Sequence, residues 1–123
     1  MIVLDSSAAI ELLRGTSLGE KIREKLETEA AATTTITVHE LMANARETEK
    51  EKLLEFLGAF EILPYAQEAA FKSAEIEQQL KKKGKTIGKL DIFMAAICIV
   101  HSLPLLTLDK DFAQVPELKR IQV

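Results

Sequence analysis

The sequence predicts an α/β fold of three layers, with helices on both faces of a central, mostly parallel sheet of four to five strands. Short apolar or β-branched runs alternate with segments of helical periodicity along the chain. The intervals between runs are long enough to hold helices, which is what crossovers between parallel strands require. The length, 123 residues, suits a single domain at about 100–200 residues per domain, so residues 1–123 are read as one unit.

Ile2 to Leu4 is a short apolar run that stops at Asp5, after which Ala8, Ala9, Leu12 and Leu13 recur at helical spacing until Gly15. Leu18, Ile22 and Leu26 mark one face of a second helix, with charges opposite. Ala32 to Ile36 is rich in β-branched residues and predicts a second strand, followed by a helix with Val38, Leu41, Met42 and Ala45 on one side. Glu47 to Phe60 predicts one charged amphipathic helix with Leu53, Leu54 and Leu57 inward, and Phe60 to Leu63 a third strand stopped by Pro64. A long helix follows, with Ala70, Ala74, Ile76 and Leu80 inward, and ends in the basic stretch Lys81 to Lys85. An apolar helix from Lys89 to His101, a strand from Pro104 to Leu108, a helical turn from Asp109 to Ala113 and an edge strand from Arg120 to Val123 complete the chain.

Composition narrows the function classes. Hydrophobic residues at 47% and charged residues at 28% exclude disorder. A net charge of −3, from 16 Lys and Arg against 19 Asp and Glu, excludes a chain that grips nucleic acid by overall charge, so any polyanion must be held locally. Cys98 is the single cysteine and lies inside the apolar run Ile92 to Val100, which predicts an inert buried thiol and fits a reducing compartment. That run is well short of the ~20 residues a membrane span needs, and Met-Ile-Val-Leu-Asp carries no basic leader. A soluble, cytoplasmic protein that does not meet a membrane is expected.

In a parallel sheet, ligands bind beyond the carboxyl ends of the strands, and acids stand at those ends here. Asp5 follows the first strand, Asp109 the fourth, and Thr37-Val38-His39-Glu40 the second, while Asp91 opens the apolar helix on the face of Ala95 and Cys98. Each has an ordinary alternative. Asp5 suits a helix cap, Thr37-x-x-Glu40 a capping box, Asp91 the positive end of a helix, and Asp109-Lys110-Asp111 a turn. Their joint placement is the stronger signal. Unit charges ~4 Å apart repel by about 4 kcal/mol at an effective dielectric near 20, so such a group calls for a cation. Hard Mg²⁺ or Mn²⁺ fits oxygen ligands, whereas His39, His101 and Cys98 offer no zinc-like spacing. Lys81, Lys82, Lys83, Lys85 and Lys89 crowd the approach to Asp91, and Arg14 and Lys110 extend a path for phosphates, with Lys89 the foremost contact; for the run Lys81 to Lys83, a solvated helix end is an equal reading. Phe56, Phe60, Phe71 and Phe93 fall on expected core faces, which leaves no aromatic platform for bases. An aspartyl phosphotransferase is disfavoured, because Ser7 stands where a second aspartate would be wanted.

Four stretches resemble one family: Ile2-Val3-Leu4-Asp5-Ser6-Ser7, Glu40-Leu41, Gly88-Lys89-Leu90-Asp91-Ile92-Phe93-Met94-Ala95-Ala96 and Leu106-Thr107-Leu108-Asp109-Lys110-Asp111-Phe112 are similar to segments of PIN-domain nucleases, VapC-type toxins above all. The resemblance implies one PIN domain and an Mg²⁺- or Mn²⁺-dependent endoribonuclease. Asp5, Glu40, Asp91 and Asp109 would be its catalytic metal ligands, with Ser6 and Thr107 as supporting hydroxyls and Asp111 auxiliary. It further implies RNA as substrate, contacted by Lys89, Arg14, Lys85 and Lys110, a cognate VapB-type antitoxin and a homodimer. A metal-free PIN-like RNA- or protein-binding module, or a PIN nuclease of RNA processing without an antitoxin, are the alternatives.

Overall fold

A computed structural model describes residues 1–123. The elements are β1 (Ile2–Leu4), α1 (Ser6–Arg14), α2 (Ser17–Lys25), β2 (Ala31–Thr34), α3 (Thr35–Asn44), α4 (Lys50–Leu57), β3 (Glu61–Leu63), α5 (Gln67–Lys82), α6 (Lys89–Val100), β4 (Leu105–Leu106) and β5 (Arg120–Ile121). Short 3₁₀ turns lie at Glu47–Glu49 and Lys110–Gln114. The five strands form one sheet in the order β3-β2-β1-β4-β5, and every pair is parallel. The chain runs outward from β1 through β2 to β3, then returns to pair β4 on the other side of β1. The switch point therefore lies between β1 and β4, where a parallel sheet opens a crevice.

Successive side chains of a strand point to opposite faces, and this divides the core. Val3, Ala32, Leu63 and Leu105 pack with Ile76 and Leu80 of α5, and with Ile92, Met94 and Ile97 of α6, on one face. Ile2, Leu4 and Leu106 pack with Ala8 of α1 and Ile22 of α2 on the other. A smaller cluster of Ala9, Leu41, Leu53 and Leu57 joins α1 to α3 and α4. These are the three layers that the alternation predicts.

Gly15 ends α1 in the left-handed conformation at φ 66°, which glycine adopts without strain. Gly19 serves a different need, because a Cβ there would lie 2.1 Å from the backbone oxygen of Glu11. The contact with α1 leaves no room for a methyl group, and neither partner is the end of a flexible side chain. Gly19→Ala is expected to force the two helices apart and cost about 2–3 kcal/mol, read as a fall in thermal midpoint. A midpoint within 1 °C of the parent would show that the helices separate freely.

Four expectations need correction. The second strand ends at Thr34, not Ile36: the Thr34 hydroxyl accepts the Thr37 N–H at 3.2 Å and caps α3, so Thr35 and Ile36 are helical. Glu47 to Phe60 is not one helix, because the Glu49 carboxylate accepts the Arg46 N–H at 2.8 Å and closes a 3₁₀ turn before α4, and Leu54 is 58% exposed rather than inward. On α5 the buried residues are Ala69, Ser73, Ile76 and Leu80, not Ala70 and Ala74. Ser73 tolerates burial because its hydroxyl pairs with the Tyr65 hydroxyl at 2.6 Å and donates to the Ala70 carbonyl. Phe71, on the opposite face, is 71% exposed and not a core residue. No helix is long and apolar enough to cross a membrane.

Candidate functional site

At the carboxyl end of β1, Asp5 caps α1 and is 4% exposed. A buried carboxyl needs hydrogen-bond partners for its oxygens, and here donors come from two strand ends. Its Oδ1 accepts the Ala8 N–H at 3.0 Å and the Ser7 hydroxyl at 2.7 Å, and its Oδ2 accepts the Thr107 hydroxyl. Thr107, just past β4, also accepts the Asp109 N–H at 3.0 Å, while the Ser7 hydroxyl accepts the Leu108 N–H at 3.1 Å. The ends of β1 and β4 are thus laced together through hydroxyls, and Asp109 is held beside Asp5. Asp109 in turn caps the following 3₁₀ turn, accepting the Asp111 N–H at 2.9 Å.

Glu40 reaches this edge differently from the expected capping box. It lies in the second turn of α3, beyond the Thr34 cap, and its Oε1 accepts the Ser6 hydroxyl at 2.7 Å. Asp91 lies in the first turn of α6 and is half-buried. Burial, and then the facing carboxylates of Asp109, Glu40, Asp5 and Asp111, push its carboxyl up from the ordinary 3.8 to about 6. Four segments remote in the sequence therefore act on one another across one sheet edge. Burial, with Asp5 nearby, also pushes the Cys98 thiol up to about 12, which makes it the inert buried cysteine expected.

None of these acids is neutralised from within the chain. The ion pairs lie elsewhere, between Met1 and Glu29, Arg23 and Glu20, Arg46 and Glu49, Lys50 and Glu47, Lys72 and both Glu75 and Glu117, and Glu77 and both Lys81 and Lys89. The donor set is oxygen alone. No three His, Cys, Asp or Glu side chains close on one point as a ready-made cage, so a zinc-type structural site does not fit. An open edge of carboxylates and hydroxyls does fit a hard divalent ion, which takes one or two protein carboxylates and keeps water in its remaining positions. A cavity of about 710 Å³ between the start of α5 and the end of α6 is lined by Pro64, Phe71, Val100 and His101 among others and includes none of these site acids.

The basic residues are less gathered. Lys89 opens α6 but donates to Glu77 at 2.6 Å. Lys85 lies on the α5–α6 loop and Lys110 on the 3₁₀ turn, both exposed. Arg14 stands at the far end of α1 from Asp5, about 13.5 Å along the axis at 1.5 Å per residue, within reach of the charge of Glu49. Ser7 and Glu77 were not singled out by sequence reasoning. Ser7 had a weak local signal as a hydroxyl two residues after a strand-end aspartate, and Glu77 had none, since only the fold brings it to Lys89.

Comparison with known proteins identifies the family. The family model described as PIN domain matches residues 2–118. Ribonuclease VapC of Rickettsia bellii is 42% identical over 65 residues, 52% of this chain and 48% of that protein, so the match spans about half of that relative. Ribonuclease VapC1 of Methanocaldococcus jannaschii is 30% identical over 110 residues, 89% of this chain and 76% of that protein. Among solved structures, the VapBC-5 member of the VapBC toxin-antitoxin family from Mycobacterium tuberculosis superposes with a TM-score of 0.74 at 29% identity, covering 98% of this chain and 97% of that one. The acids at one sheet edge, the sheet order and these likenesses together place the chain in the PIN-domain family, among its VapC-type members.

Proposed function

We propose that this chain is a divalent-metal-dependent endoribonuclease, the toxin of a VapBC-type pair that works in the cytoplasm. One observation carries the reading: Asp5, Glu40, Asp109 and Asp111 lie close enough to Asp91 that their charges, added to the larger effect of its burial, push its carboxyl up to about 6, and no lysine or arginine of the chain is paired to any of the five. A bound Mg²⁺ or Mn²⁺ supplies an acidified water as nucleophile and stabilises the departing oxygen of a phosphodiester. The protein's part is orientation. Thr107, Ser7 and the Ala8 N–H hold the Asp5 carboxylate in place, and Ser6 holds Glu40. Asp109 is aimed by its own turn, with Asp111 beside it. Asp91, free of such anchors, would be the acid whose charge a cation relieves most. Lys89, Lys85 and Lys110 would receive flanking phosphates at the rim, with Arg14 as an outlying contact. A VapB-type antitoxin is the partner this reading names, supported by the VapBC toxin-antitoxin membership of the M. tuberculosis relative, and a second copy of the chain is the further partner the family resemblance implies.

Labelled RNA incubated with the purified protein in Mg²⁺, Mn²⁺ or excess EDTA tests the proposal. Cleavage is expected with either ion, leaving 5′-phosphate ends, and none with EDTA. Equal cleavage in EDTA would rule out the metal route.

A further inference from the structure

The place of a carboxylate depends on the backbone that bears it as well as on the donors that meet its oxygens. Ser7, Thr107 and the Ala8 N–H bond the Asp5 carboxylate, but the direction in which the side chain leaves the strand is set by the main chain. A peptide unit is planar and moves as one piece, so the Leu4 carbonyl and the Asp5 N–H belong to a single plate. Its two ends reach opposite neighbours in the sheet. Towards β4, the Asp5 N–H donates to the Leu106 carbonyl at 3.4 Å, beyond the ~3.2 Å at which such bonds usually end. Towards β2, the Leu4 carbonyl accepts the Thr33 hydroxyl at 2.7 Å, an ordinary length for an O–H donor. The firmer hold is thus a side chain of β2.

That side chain stands where the ladder stops. The β1–β2 register ends with Val3 opposite Ala32, and the Thr33 hydroxyl takes the carbonyl one residue further on. Thr33 is 1% exposed. Valine would fill the same space in a strand, and a buried hydroxyl costs stability unless it is bonded. The Leu4 carbonyl is the bond that accounts for a threonine here. Thr34, the next residue, caps α3, which carries Glu40. The bond therefore ties the plate that bears Asp5 to the strand end from which the Glu40 helix starts.

We infer that Thr33 is a positioning residue: through the Leu4 carbonyl, its hydroxyl fixes the peptide unit from which Asp5 projects, and with it the place of the Asp5 carboxylate among the acids. This rests on the metal-dependent reading above and adds to it a residue that touches none of the carboxylates. Without the hydroxyl, the plate is left to its long bond with Leu106, and the carboxylate can drift. A small hard ion tolerates little error in the placing of its oxygen ligands, so it senses a drift that the core absorbs.

The test is calorimetric titration of Mn²⁺ into the RNA-free protein, at a temperature well below the thermal midpoint of each variant. Thr33→Val keeps the shape and removes the hydroxyl, and is expected to weaken Mn²⁺ binding about tenfold, the lower end of what a lost supporting contact costs a metal site. Thr33→Ser keeps the hydroxyl and should stay within about threefold of the parent. A merely structural bond would lower the midpoint of T33V and leave its Mn²⁺ affinity at the parental value; that result would overturn the inference while leaving the metal-dependent reading intact. T33S gives a reading that does not depend on the folding of T33V: a tenfold loss there, with the hydroxyl kept, would assign the effect to the methyl group and overturn the inference as well. A parent protein that binds no Mn²⁺ would remove both.

Discussion

Asp91→Asn is expected to abolish RNA cleavage, by at least about 10³-fold, while making the ion-free protein more stable at neutral pH. Loss of activity follows from removing a carboxylate that faces Asp109, Glu40, Asp5 and Asp111. The gain in stability follows from linkage. A carboxyl held near 6 in the folded chain and near 3.8 when unfolded binds more protons folded than unfolded between those values. Stability due to this group is therefore lost as pH rises from about 4 to about 6, and above that the full penalty of an ionised Asp91 remains. Solvent screening of a half-buried group reduces that penalty to about 1 kcal/mol, or about 3–5 °C for a domain of this size. Thermal melts with EDTA should show the variant above the parent at pH 7.5 and level with it at pH 4. A variant that melts well below the parent at pH 7.5 would assign Asp91 to helix capping instead.

Asp5→Asn should also abolish cleavage, yet with the opposite effect on the fold. The Asp5 carboxylate accepts donors from Ala8, Ser7 and Thr107, whereas Asp91 owes its shift to burial and like charges alone. An amide nitrogen in place of one oxygen would present a donor to a hydroxyl that already donates, in a side chain that is buried. A buried polar group left unsatisfied costs about 1–3 kcal/mol, so a loss near 2 kcal/mol is expected by denaturant titration. The comparison separates two uses of the same side chain: Asp5 is built into the fold as well as the site, and Asp91 is tolerated by the fold for the site's sake. If both variants shifted stability in the same direction, the hydrogen bonds around Asp5 would not be contributing to the fold.

The sequence revealed the strand ends because each apolar run halts at an acid or a β-branched turn, and in a parallel sheet those halts must share an edge. Asp5 and Asp109 were singled out on that basis, and Asp91 as an acid opening an apolar helix. Glu40 was placed on the right edge, although its local role was misread. Thr34 and Thr37 are equally good caps by type, and the choice between them was made by pairing of Thr34 with Leu63 in the sheet, a contact no local window contains. The inward face of α5 was misjudged for a related reason. Alanine is equally at home on either side of a helix, so Ala69, Ala70 and Ala74 gave no direction, and the buried Ser73 depends on Tyr65 from the preceding loop. The hydroxyl lacing at the site lay further out of reach. Ser7 takes its second partner from Leu108, across the β1–β4 junction, and Glu77 meets Lys89 only because α5 and α6 pack side by side.

The central claim is that remote acids share one field and that a divalent cation relieves it. Following the Asp91 carboxyl carbon by NMR through a pH titration, without and then with Mg²⁺, tests this at the atom concerned. A midpoint near 6 in ion-free protein, falling below about 4 when Mg²⁺ is added, is the result the account predicts. A midpoint at the ordinary value, unmoved by Mg²⁺, would contradict it.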